Sequence, residues 1–153
     1  MSNQKLSEHF TLRELCKSET ATRLGIDNIP KDEMIIAKLS AVCEHILEPV
    51  RKKYGAFTPN SGYRSVEVNA GVGGRSTSQH CKGEAVDFEV PSISNYDLAC
   101  WVRDNLIYDQ IILEFAVKGD PHAGWVHCSY TDGKNRKQLL TIRKDGTLQG
   151  LHE

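Results

Sequence analysis

Apolar residues fall into two rhythms along this 153-residue chain. In the first half, Ile35, Leu39, Val42, Ile46 and Val50 recur at steps of four, three, four and four. That spacing puts them on one stripe of an α-helix. Pro30 is placed to open this helix, where a missing N–H does no harm, and Pro49 should kink or end it. Shorter helical segments surround it. Thr11 and Glu14 form a capping box for a first helix, and Ser18 to Leu24 reads as a second, closed by Gly25. Ser94 with Asp97 caps a helix that carries Leu98, Trp101 and Val102 to about Leu106.

The second rhythm is strict alternation, the mark of strands with one buried face. Val86, Phe88 and Val90 share a face in 84–90, with Asp87 opposite. Ile111, Leu113 and Phe115 share a face in 109–115, with Glu114 opposite. Val126, Cys128 and Tyr130 share a face in 124–130, with Trp125, His127 and Ser129 opposite. Each strand thus offers an apolar face to a core and a polar side chain on its reverse. Paired in one sheet, the strands would bring Asp87, Glu114 and His127 together. His80 would join them from the loop before the first strand. Leu139 to Ile142 reads as an outer strand, Lys144 to Thr147 as a turn, and the last residues as a fraying end.

Two histidines and a carboxylate, His80, Asp87 and His127, are the ligand set of a catalytic zinc site, which keeps its fourth position open. The metal polarises a carbonyl and acidifies water there. The bland reading is a hydrogen-bonded surface cluster without metal, and the alternation argues against it. His9, His45 and His152 have no evident partners. The clusters Arg51–Lys53 and Lys134–Lys137 read as solvated faces.

The segment Ser78-x-His80-x-x-Gly83-x-Ala85-x-Asp87 resembles the zinc motif of the M15 peptidases, which include D-alanyl-D-alanine carboxypeptidases and phage peptidoglycan endopeptidases. Trp125-Val126-His127 is similar to the segment that supplies their last ligand. Ser61-Gly62-Tyr63-Arg64-Ser65 is similar to the one whose arginine binds substrate. Phe10 to Leu15 and Gly25 to Asn28 resemble small phage and prophage members. The resemblance runs from about Leu6 to about Ile142 and implies an α+β fold, shared with hedgehog signalling domains, in which an antiparallel sheet carries zinc on one face and packs helices on the other. It also implies hydrolysis of peptidoglycan stem peptides, at the D-Ala-D-Ala or the L-Ala-D-Glu bond.

Some family members carry a second histidine two residues before the last ligand, where this chain has Trp125. Others carry a glutamate three residues before it, where this chain has Gly124. The general base therefore has to come from elsewhere. Glu114 is the expected base, with His122 as runner-up. Arg64 is expected to hold a substrate carboxylate by a bidentate contact. Trp125 is expected either to floor the substrate cleft or simply to pack, and Ser78 either to shape its loop or to hydrogen-bond substrate. The alternative function is a non-catalytic zinc-containing module that binds cell wall or a protein in a phage particle. A third reading is an enzyme acting on free dipeptides.

Composition narrows the partners. The chain length suits one domain with a proper core, spanning 1–153. A net charge of -1 gives no electrostatic case for nucleic acid or anionic membrane. No apolar run is long enough to span a bilayer. The polar N-terminus does not read as a secretory signal, so the expectation is a monomer made in the cytoplasm that reaches the bacterial wall with a holin or within a virion. Five cysteines, an odd number without a CxxC pair, read as reduced thiols rather than a disulfide framework.

Overall fold

A computed structural model describes residues 3–153; Met1 and Ser2, part of the polar N-terminal segment, lie outside the described residues. Helices dominate the first half. The capping box forms as expected: Thr11 and Glu14 close the start of α1 (Leu12–Cys16). Ser18 caps α2 (Glu19–Leu24), and Gly25 ends it with a left-handed φ of 67°. α3 (Glu33–Val42) starts later than Pro30 suggested, because the Asp32 carboxylate caps it by accepting from Met34 N–H.

The expected kink at Pro49 takes a specific form. The helix widens into a π-turn (Cys43–Leu47), in which Glu48 N–H donates to Cys43 C=O, and then continues as α4 (Glu48–Tyr54). Pro49 has no N–H to give the carbonyl of His45, and the wide turn before it takes up that mismatch. The stripe survives: Leu39, Val42, Ile46 and Val50 are fully buried, while Ile35 is only half-buried at the start.

α5 (Val66–Gly71), capped by Ser65, was not legible in the pattern. The segment around His80 is not an extended loop but a 3-10 turn (Gln79–Lys82). β1 (Ala85–Phe88), α6 (Asn95–Asn105), β2 (Gln110–Glu114), β3 (Trp125–Ser129), β4 (Gln138–Arg143) and β5 (Gly146–Gln149) follow. Ser94 caps α6 by accepting from Asp97 N–H.

The strands form one sheet in the order β1-β3-β2-β4-β5. β1 and β2 both pair antiparallel with β3, β4 pairs antiparallel with β5, and β2 and β4 run parallel. The sheet is therefore antiparallel except at one seam. β4 is not the outer strand, since β5 lies beyond it. The C-terminus does not fray either: Gly150 N–H donates to Leu139 C=O at 2.8 Å and His152 N–H to Thr141 Oγ1 at 3.0 Å.

One face of the sheet carries Val86, Phe88, Ile111, Leu113, Val126 and Cys128, all fully buried against the α3–α4 stripe and α6. At ~25 cal/mol per Å² of apolar surface, this face anchors the fold. All five cysteines are free thiols. Burial pushes the Cys16 thiol up to about 12, with Asp27 adding to the rise, and raises Cys43 and Cys128 further, which suits inert packing groups. Among the described residues, no helix is long and apolar enough to cross a membrane.

Candidate metal centre and catalytic face

The reverse face of the sheet gathers the expected residues. Asp87 on β1 sits directly across from His127 on β3, and Glu114 on β2 sits across from Trp125 on β3. The 3-10 turn brings His80 over the end of β1. Its Nε2 lies 3.4 Å from Asp87 Oδ1, and His127 Nδ1 lies 3.0 Å from the same oxygen. One ligand atom from each of the three residues lies within 4.8 Å of the other two. His80 and His127 are buried, at 3% and 8% exposure.

His80 and Asp87 are each held by a partner outside the set. His80 Nδ1 lies 2.7 Å from Gly62 C=O. A carbonyl only accepts, so Nδ1 carries the proton and Nε2 is left free to ligate. Gly62 can approach this closely because it has no side chain: a Cβ there would sit 2.5 Å from Leu15 O. Ser78 Oγ accepts from His80 N–H at 3.2 Å and caps the turn, so its part in shaping the loop is direct. Gly83 ends the turn at φ 75°, where a Cβ would meet Ile35 O at 2.8 Å. Asp87 is pinned through its backbone, its N–H donating to Ser61 C=O and its C=O accepting from Asn60 N–H, both at 2.8 Å.

The charges reinforce this order. Burial alone would raise the Asp87 carboxyl. The hydrogen bonds and charges of His127 and His80 more than offset it and hold the group well below the usual carboxylate range. Glu114 goes the other way. Burial, then the nearby Asp87 carboxylate, raises it above its ordinary value, while His127, Trp125 and Arg64 pull it partly back. Two carboxyls on one face are thus shifted in opposite directions, Asp87 down and Glu114 up.

Arg64 enters from the segment before α5. Its N–H donates to His80 C=O at 3.1 Å. Asn28, which the sequence reading passed over as a positioning residue, fixes its neighbours: Nδ2 donates to Cys16 C=O at 2.8 Å and Tyr63 C=O at 3.0 Å, and Oδ1 accepts from Ser65 N–H at 2.8 Å. No local pattern could have found this, because the partners lie 12 and 35 residues away. Arg64 Nε is buried and has no hydrogen-bond partner among the described residues. A depression of about 460 Å³ opens beside Arg64, with Lys17, Asn60 and Ser61 on its walls.

Asp109, at the start of the 109–115 segment, braces the turn that carries His80. Its carboxylate is almost fully buried and accepts from Gln79 Nε2 at 3.1 Å, Arg136 N–H at 2.9 Å and Arg136 Nη2 at 2.7 Å. Gln79 is the residue next to His80.

His122 is not part of the metal-ligating group. It lies on a loop beside Phe57, Asn60, Glu89 and Pro91, and its only hydrogen bond among the described residues is N–H to Asp120 Oδ1 at 3.1 Å. Phe115 corrects the alternation. The strand ends at Glu114, Phe115 turns to φ 57°, and the residue is 42% exposed instead of joining Ile111 and Leu113 in the core. Such a backbone costs about 1–3 kcal/mol in a residue with a side chain. Gly124 explains the turn. At φ 73°, its missing Cβ would lie 2.0 Å from Glu114 O and 2.5 Å from Phe115 C. No glutamate fits there, which accounts for its absence ahead of the last ligand in this chain.

The donor set fits a borderline divalent cation: two imidazoles, one with its second nitrogen already committed, and one ionised carboxylate. Comparison with known proteins agrees with the geometry. No curated protein matches the chain. The family model Peptidase M15 matches residues 8–129, a span that contains His80, Asp87, Glu114 and His127. The match covers most of the chain, and the protein belongs to the peptidase M15 family.

Proposed function

We propose that this protein is a zinc-dependent peptidase that cleaves stem peptides of bacterial peptidoglycan, at the D-Ala-D-Ala or the L-Ala-D-Glu bond. The observation that carries the reading is the His80–Asp87–His127 cluster beside a raised carboxyl, Glu114, and a buried guanidinium nitrogen of Arg64 that has no partner among the described residues. His80 Nε2, Asp87 Oδ1 and His127 Nδ1 would hold the ion. When bound, zinc supplies Lewis-acid polarisation of the scissile carbonyl and acidifies water.

The chain's own residues do the rest. Glu114, kept basic by burial and by Asp87, takes the proton of the attacking water and returns it to the leaving amine. Arg64, which lines the open depression, receives a substrate carboxylate on its guanidinium and fixes the peptide against the face. Trp125 floors the cleft. The Ser78 oxygen is spent on the His80 N–H, and its own proton is available to substrate. Membership of the family, whose known members include enzymes acting on peptidoglycan, supports this choice of substrate and, with it, a site of action at the cell wall.

The test is digestion of purified peptidoglycan by the zinc-loaded protein, with and without chelator, read by mass spectrometry. Chelator-sensitive release of D-alanine identifies a carboxypeptidase. New L-alanine C-termini identify an endopeptidase. Intact walls of several chemotypes, with zinc bound, would sink the reading in favour of a non-catalytic zinc module.

A further inference from the structure

Phe115 is the one large apolar residue next to the proposed base that the fold turns away from its own core. Its ring lies 5.5 Å from that of Trp125, with the planes inclined at 48°. Trp125 stands on the same face of β3 as His127 and pairs in register with Glu114. The aromatic pair is therefore continuous with the catalytic face. Three features enforce the exposure of Phe115. Its N–H donates to Ile142 C=O at 2.9 Å, its φ is 57°, and Gly124 packs against its carbonyl carbon. Strain this well determined persists where a position is used. Beyond the ring runs a groove of about 470 Å³ formed by Phe115, Ala116, Val117, Arg143, Lys144 and Asp145. Phe115, Ala116 and Val117 give it an apolar wall, and Arg143 and Lys144 outnumber Asp145 among its charged residues.

We propose that Phe115 and Trp125 form an aromatic platform that determines substrate specificity, seating an apolar C–H surface of the substrate next to the scissile bond, with the rest of the chain following the groove toward Lys144. This rests on the peptidase reading of the same face. An aromatic face takes C–H groups from either of two sources in this polymer, an aliphatic amino-acid side chain or the flank of a sugar ring. The cationic excess suits the carboxylates of wall peptides. Phe115 is a specificity residue and takes no part in proton transfer.

The test uses Phe115→Asn, because asparagine tolerates a left-handed backbone and should fold where a bulkier change would strain. Steady-state kinetics are measured on a glycan-free stem peptide and on the same peptide carrying its disaccharide. A KM raised about 10-fold with kcat nearly held is the expected signature of lost uniform binding. A rise on both substrates assigns the contact to the peptide; a rise on the disaccharide form alone assigns it to sugar. Phe115→Trp should restore KM. An unchanged KM on both substrates overturns the platform while leaving the peptidase reading intact. In parallel, retention on purified cell walls is compared for Glu114→Gln with and without Phe115→Asn. If the wild-type protein hydrolyses nothing, the peptidase reading fails, and weaker retention of the double variant still upholds the platform. Equal retention overturns it.

Discussion

The two sides of the catalytic face are built on opposite terms. On the ligand side the ligating groups are largely satisfied within the protein: His80 by Gly62, Asp87 by both histidines and by the backbone of Asn60 and Ser61, and the His80 turn by Ser78 and the Gln79–Asp109 brace. On the other side Arg64 Nε is buried without a partner among the described residues, Glu114 is pushed toward its neutral form, and Phe115 holds a strained backbone. Leaving a buried donor unpaired costs about 1–3 kcal/mol. The difference teaches where the fold spends stability. Ligands are preorganised because a misplaced ligand loses the metal. Under the proposed function, the opposite side is the one left for substrate.

The contrast is sharpest at Asp87. Asp87→Ala should weaken zinc binding by more than the about 10–100-fold that loss of a mere supporting group costs, measured by chelator competition, and hydrolysis should vanish with it. Metal affinity that survives would dissolve the distinction between the two sides.

Glu114→Gln comes next. It should lower kcat by about 10²–10⁴-fold while zinc content stays the same, because glutamine keeps the shape and loses the base. If turnover persists and His122→Ala abolishes it instead, the proton acceptor comes from the loop rather than the sheet.

Gly124→Ala tests the joint between the sides. The added Cβ collides with the backbone of Glu114 at a left-handed φ, so a loss of about 2–4 kcal/mol is expected, seen as a lower denaturant midpoint.

The smallest effect concerns the brace. Burial would raise the Asp109 carboxyl, but its bonds and ion pair with Arg136 and its bond from Gln79 outweigh this and lower it. Its contribution to stability is therefore present above the unfolded value, near ~4, and is lost as pH falls through the lower folded one. Asp109→Asn should be less stable than wild type at pH 7 by about 1–2 kcal/mol, since Arg136 is half-exposed. That gap should close as the pH falls below about 4, in thermal melts across a pH series. A gap independent of pH would mean that the carboxylate charge contributes nothing.

Much of this was legible along the chain. Period-two alternation placed Asp87, Glu114 and His127 on one face, because neighbouring strand residues point to opposite sides and the core claims one of them. The helical stripe from Leu39 to Val50 and the caps at Thr11, Ser18 and Ser94 are equally local, set by spacing and by side chains that reach their own backbone. What only the tertiary structure decided involves partners far apart in sequence. The parallel seam between β2 and β4, the C-terminal strand beyond it, Asn28 bridging to Tyr63 and Ser65, and Asp109 bracing Gln79 depend on segments that meet only when folded. Phe115 shows the limit most clearly. Its own sequence position calls for burial, and a glycine nine residues later, by allowing one backbone to press against another, turns it outward onto the face where the chemistry is proposed to occur.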